Sequence, residues 1–135
     1  GVERYKVRQD TLDREIERPL KNGTLQIFSM ERVLVPTGLI LDIPEGYSVR
    51  LHSRSGLEYN YGLYLTNCEG IIDWDYVDPV FIIMTNISQS PKTINNGDRI
   101  CQGELVEKVY HGFRHIKKPP TRKTERDGGF GSTGK

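Results

Sequence analysis

The sequence predicts an all-β domain, on three observations. Short runs rich in β-branched and aromatic residues follow one another along most of the chain, turn residues separate them, and no stretch keeps helical apolar spacing long enough for a long helix. At 135 residues the chain is one domain with a modest core. So many short strands in so small a domain point to a jelly roll or a barrel, and pattern alone does not choose between them.

The elements are predicted in chain order as follows. Tyr5 to Arg8 is the first strand. Asp10 to Arg18 reads as a short helix, because Leu12 and Ile16 would share a face. Asn22-Gly23 turns the chain into a strand over Leu25 to Phe28, and Val33 to Val35 is the next. Pro36 to Gly38 turns into Leu39 to Leu41, and Pro44 to Gly46 into Ser48 to His52. Leu63 to Leu65 and Val80 to Met84 are strands, with a hairpin around Ile71 to Tyr76 between them and a break at Pro79. Thr93-Ile94 precedes the turn at Asn95 to Asp98, and Ile100 to Val109 is the last strand. Pro119-Pro120 stops regular structure, so a β domain over 1–116 and a flexible arm over 117–135 are expected, the arm ordering on a ligand.

The net charge of +1 is unevenly spread: from Gly112 onward seven basic residues face two acidic ones, a net of +5. A basic tail suits an anionic partner. Nucleic acid is not the expected one, because the aromatic residues are not interleaved with the basic ones as a stacking platform requires. No apolar run approaches the length of a membrane span, and the charged N-terminal stretch (Glu3, Arg4, Lys6, Arg8, Asp10) does not read as a signal peptide. Cys68 and Cys101 lack companions for a metal site and are expected to be reduced thiols in the cytoplasm.

The final stretch, Gly128-Gly129-Phe130-Gly131-Ser132-Thr133-Gly134-Lys135, carries most information. Its glycines let backbone N–H groups crowd around phosphate oxygens, its two hydroxyls add donors, and Phe130 offers a face for a base. Three internal segments precede it: Ser53-Arg54-Ser55-Gly56-Leu57, Gly70-Ile71-Ile72-Asp73-Trp74-Asp75-Tyr76 and Gly97-Asp98-Arg99-Ile100-Cys101-Gln102. In this order, with Arg126 before the tail, they resemble the motifs of the homotrimeric dUTPase family from about Arg32 to the C-terminus.

The resemblance implies a distorted jelly roll, a trimer with shared sites, dUTP as substrate and Mg²⁺ as cofactor. It implies that Asp73 is the base activating water, a role chemically open to any carboxylate near water and phosphorus. Tyr76 would pack under the deoxyribose and leave no room for a 2′-hydroxyl. Gly70, Ile71 and Ile72 would supply the hairpin backbone that reads uracil, helped by Asn67, which has both a donor and an acceptor. Arg54, Ser55 and Gly56, with Gln102, would contact the triphosphate. Arg126 and the arm would close over the nucleotide, Phe130 stacking on uracil and Gly131, Ser132 and Thr133 meeting the phosphates. Asp75 is given no role.

The chain also departs from the family pattern. The family's first motif, whose aspartate helps to hold the hydrated magnesium, has no match, so the metal ligands are not assigned and Mg²⁺ is expected to ride mainly on the triphosphate. Val77-Asp78-Pro79 replaces an Arg-Gly-acidic turn, Gly103 reads as an insertion after Gln102, and Lys117 to Lys123 is basic where relatives are often acidic. Two rivals stand beside the hydrolase. A dCTP deaminase-like enzyme shares the fold but needs a glutamate in the strand after the hairpin, and Phe81-Ile82-Ile83-Met84-Thr85-Asn86 has no acid. A non-catalytic nucleotide-sensing or protein-binding module is favoured by the missing motif and opposed by Asp73, Tyr76 and the tail.

Overall fold

The structure, a computed structural model, describes residues 3–129. Among the described residues ten strands form three sheets. In chain order they are β1 (Arg4–Gln9), β2 (Arg14–Pro19), β3 (Thr24–Ile27), β4 (Glu31–Pro36), β5 (Tyr47–Ser53), β6 (Leu63–Leu65), β7 (Glu69–Asp73), β8 (Phe81–Asn86), β9 (Lys92–Asn95) and β10 (Cys101–Glu107), with one helix, α1 (Ser55–Tyr61). The large sheet runs β2-β1-β4-β8-β6, a second runs β10-β5-β7, and β3 pairs with β9. This is the expected jelly-roll-like architecture; the sheets do not close into a barrel.

Alternation decides which face of each strand is buried. Val7 of β1, Leu25 and Ile27 of β3, Val33 and Val35 of β4, and Ile82 and Met84 of β8 all point into one core. Glu31 sits at the inward end of that alternation and is buried. Arg18 compensates it with two hydrogen bonds of 2.8 Å, while Gln9 and the Phe28 N–H donate at 2.7 and 2.8 Å. The Arg18 guanidinium also stacks on the Phe28 ring at 4.7 Å. Asn86, fully buried at the end of β8, donates to Ile27 O and Ser90 O and accepts from Ser88. One of these four hydrogen bonds fastens β8 to β3 and three fasten it to the Ser88–Ser90 turn, at no cost in unpaired polar groups.

Two expectations are corrected and one element is added. Asp10–Arg18 is not a helix: a single 3-10 turn at Asp10–Leu12 ends with Asp13 in the left-handed region (φ 45°), and β2 returns along β1. Strand pairing sets Ile16 opposite buried Val7 and lets Arg18 reach Glu31, which the isolated helix would not achieve. Leu39–Leu41 is irregular, tied to Val80 through Leu39 O, with Leu39 and Ile40 exposed. The helix α1 follows Arg54 and ends at Gly62, whose left-handed conformation (φ 71°) brings its N–H to Glu58 O.

The β10-β5-β7 sheet carries Gly70, Ile71, Ile72, Asp73 and Gln102 of the residues singled out by sequence. Cross-strand rows assign its faces: Gln102–His52–Glu69, Glu104–Arg50–Ile71 and Val106–Ser48–Asp73 share one face, on which Ser48 is buried. The alternate row Gly103–Leu51–Gly70 lies on the other side, and Val49, Leu51 and Ile72 pack on the core from there. Gly103 makes no bulge, since β10 stays in register with β5 from Cys101 to Glu107. A Cβ on Gly70 would come within 3.2 Å of Leu51 Cβ, so the glycine gives Leu51 its space.

Candidate active site

The β6–β7 turn begins the site. Thr66 N–H donates to Ile83 O, Cys68 N–H to Leu65 O and Glu69 N–H to Asn67 O, leaving Asn67 exposed at the apex. Cys68 takes the left-handed conformation (φ 61°) that this reversal demands. β7 then pairs only with β5 and is an edge strand, so its other backbone edge is open to a ligand. Beyond it Tyr76 N–H closes a turn on Asp73 O (3.1 Å), and Tyr76 Oη donates to Pro79 O (2.8 Å). The unusual Val77-Asp78-Pro79 segment therefore supplies the acceptor that orients the Tyr76 ring.

A trough runs along this open edge. Its main cavity, about 380 Å³, is lined by Ile71, Ile72, Asp73 and Tyr76 on one side and by Leu34, Phe81 and Ile83 on the other. A smaller cavity, about 100 Å³, continues it past Asn67 and Gly70. The space is in the range of small-molecule sites, with apolar walls and few polar groups. Asp73 stands at its rim, its Oδ1 2.8 Å from Lys108 Nζ. The hydrogen bond to Asp73, set against a smaller cost of desolvation, raises Lys108 above the ordinary lysine value. Lys108 lies 35 residues downstream and carries no local signal that would have tied it to Asp73.

Arg54 and Gln102 belong to a different place. Both line a larger groove of about 820 Å³ with Asn95 to Arg99, and Arg54 Nη1 donates to Arg99 O (3.1 Å). Ser53 Oγ accepts the Leu65 N–H at 2.9 Å, fixing the end of β5 from which Arg54 projects. Ser55 and Gly56 open α1 beside it, both exposed, and the space around Gly56 is empty enough for a ligand to approach. Asp73 is opposite Ser48 and Gln102 opposite His52, so the two clusters occupy opposite ends of β5. Along the strand direction, the four steps from Ser48 to His52 and six to Arg54 separate the backbones by roughly 13 and 20 Å, too far for Asp73 and Arg54 to share one phosphate.

From Val109 to Gly129 every residue is exposed and none is in a helix or strand. Arg126 bonds locally, its Nε to Gly128 O and its backbone O to Arg122 Nη1. Phe130, Gly131, Ser132 and Thr133 lie outside the described residues. Among the described residues no three His, Cys, Asp or Glu side chains converge as a metal cage.

The sequence profile of the dUTPase family matches residues 20–134. The chain belongs to the dUTPase family. The deoxyuridine 5′-triphosphate nucleotidohydrolase of Finegoldia magna is 42% identical over 118 residues, covering 87% of this chain and 81% of that one. Among solved structures, the dUTPase of Staphylococcus bacteriophage 80alpha has the same fold, with a TM-score of 0.70, 22% identity, and coverage of 83% of this chain and 81% of that one. A dUTPase from phage phi11 of S. aureus, described with a structural Mg(II) ion, matches with a TM-score of 0.62 and 22% identity over 70% of this chain and 78% of that one.

Proposed function

We propose that this dUTPase-family chain hydrolyses dUTP to dUMP and pyrophosphate, with Asp73 as general base. The observation that carries the reading is the Asp73 carboxylate on the rim of a nucleoside-sized trough, beside Tyr76 and the open edge of β7. Uracil enters the trough and is read by those backbone N–H and C=O groups of the Gly70-Ile71-Ile72 stretch that alternation leaves on the open edge of β7, with Asn67 at the far end. The Tyr76 ring, held by Pro79, packs against the deoxyribose and excludes a 2′-hydroxyl. Water attacks the α-phosphorus, its proton passes to Asp73, and the bond to the bridging oxygen breaks as pyrophosphate leaves.

The phosphates need groups that one copy cannot bring. Arg54, Ser55, Gly56 and Gln102 sit at the other end of β5, so a second copy supplies them, and the arm with Arg126, Phe130, Gly131, Ser132 and Thr133 closes the site. The reading is thus a homotrimer with shared sites, supported by exposed apolar side chains such as Leu39 and Leu105 (57% and 58% exposed). The described residues do not form a cage for a hard cation. Mg²⁺ would therefore arrive on the triphosphate, whose oxygens it relieves of charge. Two free cysteines, the half-buried Cys101 with its thiol pushed up by burial, fit a reducing cytoplasm.

The deaminase alternative loses support, because Phe81 and Ile83 are the side chains that β8 turns to the main cavity and neither is acidic. The test is pyrophosphate release from dUTP with Mg²⁺, beside dCTP, dTTP and UTP. Selective release from dUTP is expected. Binding of dUTP without release would instead favour a nucleotide-sensing module, and full activity in a species that sediments as a monomer would overturn the shared site.

A further inference from the structure

Lys108 is the one cation paired with Asp73 among the described residues, and nothing in the family motifs accounts for it. It follows the last residue of β10, and its backbone N–H donates to Gly46 O at 2.8 Å, which anchors the lysine beside the start of β5. β5 sets Ser48 against Asp73 in the ladder, so both partners of the ion pair are placed at the same end of β5. The side chains remain 32% and 50% exposed, and a pair this wet contributes little to folding. Its geometry is nonetheless selective: Nζ lies 2.8 Å from Oδ1 of a residue that lines the trough, while the Tyr76 N–H holds the Asp73 backbone carbonyl.

We infer that Lys108 is a positioning residue for the reaction, fixing the Asp73 carboxylate with one oxygen aimed at the attacking water. This rests on the reading of Asp73 as base. The neighbouring charges do not compete for the place. Arg50, on β5, is engaged with Glu69 at 2.8 Å; Asp75 and Tyr110 lie near Lys108 and favour its ammonium form. A pivoting carboxylate loses the near-attack geometry on which the rate depends.

The experiment is a double-mutant cycle on the assembled full chain, with kcat and KM for dUTP measured for wild type, Lys108→Met, Asp73→Asn and the double variant, residual rates being taken under single turnover. Lys108→Met is expected to lower kcat roughly ten- to hundredfold with KM within about twofold, and Lys108→Arg to restore most of it. In the Asp73→Asn background the Lys108→Met change is expected to have no further effect, the signature of a residue acting through another. An unchanged kcat, failure of arginine to rescue, or an equal loss in both backgrounds would overturn the inference, the last pointing to direct phosphate contact or to a structural role. Wild-type turnover by Asp73→Asn alone would overturn the base assignment instead, so the two failures are distinguishable.

Discussion

Two ion pairs in this molecule have the same length and opposite purposes. Arg18 and Glu31 meet at 2.8 Å with side chains 17% and 6% exposed; Lys108 and Asp73 meet at 2.8 Å with 32% and 50% exposed. The first is built into the core, where Gln9, Phe28 N–H and the Phe28 ring complete its shell. The second stands at the rim of the trough, half in water. Burial makes the first an element of stability, since removing one partner strands a charge. Exposure makes the second nearly neutral for folding and leaves its carboxylate within reach of water.

The comparison breaks most sharply at Asp73. Asp73→Asn is expected to lower kcat by about 10²–10⁴-fold with the thermal midpoint almost unmoved, as measured by pyrophosphate release and calorimetry. Retained turnover would remove the functional half of the contrast. Glu31→Ala should do the reverse: a loss of about 3–5 kcal/mol in denaturant unfolding, with near wild-type kcat per folded molecule at low temperature. A stability change under about 1 kcal/mol would show that the buried pair is no stronger than the exposed one.

Acid sharpens the same contrast. Burial by itself raises the Glu31 pKa, but the hydrogen bonds from Arg18, Gln9 and the Phe28 N–H outweigh it and hold the carboxyl below the ordinary glutamate range. The folded value lies below the unfolded one. The pair's stabilisation is therefore complete above the ordinary carboxyl range and is lost as pH falls through the lowered folded value. Unfolding free energy measured against pH should fall there in wild type and more shallowly in Glu31→Gln. A smaller effect is expected at the trough, where Tyr76→Phe removes only the bond to Pro79 O. It should cost about 1 kcal/mol at most and relax the preference for dUTP over UTP by a few-fold.

The strands were legible where burial on one face forces alternation, as in Val33 and Val35 of β4 and Ile82 and Met84 of β8. They were illegible where a long-range partner decides. Arg14-Glu15-Ile16-Glu17-Arg18 has a helix-like apolar spacing with Leu12, yet it is a strand because β1 stands ready to pair with it. Ser55 to Tyr61 hid a helix of two turns, too short to show a periodic stripe; Gly62 as its left-handed stop was the signal available.

The same division runs through the site. Asp73, Tyr76, Gly70 and the Arg54 segment stand out as candidates because their order along the chain resembles that of the family's motifs. That Asp73 and Arg54 lie at opposite ends of β5 is visible only in the register of β5 with β7 and β10. That Pro79 orients Tyr76, and that Lys108 meets Asp73, depends on contacts made after the chain has folded back on itself. Sequence by itself determined the strand alternation, the turns and the residue types able to bind a nucleotide, because these follow from local sterics and side-chain chemistry. Tertiary structure alone decided which of those residues share a cavity and which charge stays in water, because both follow from pairing between segments far apart in the chain.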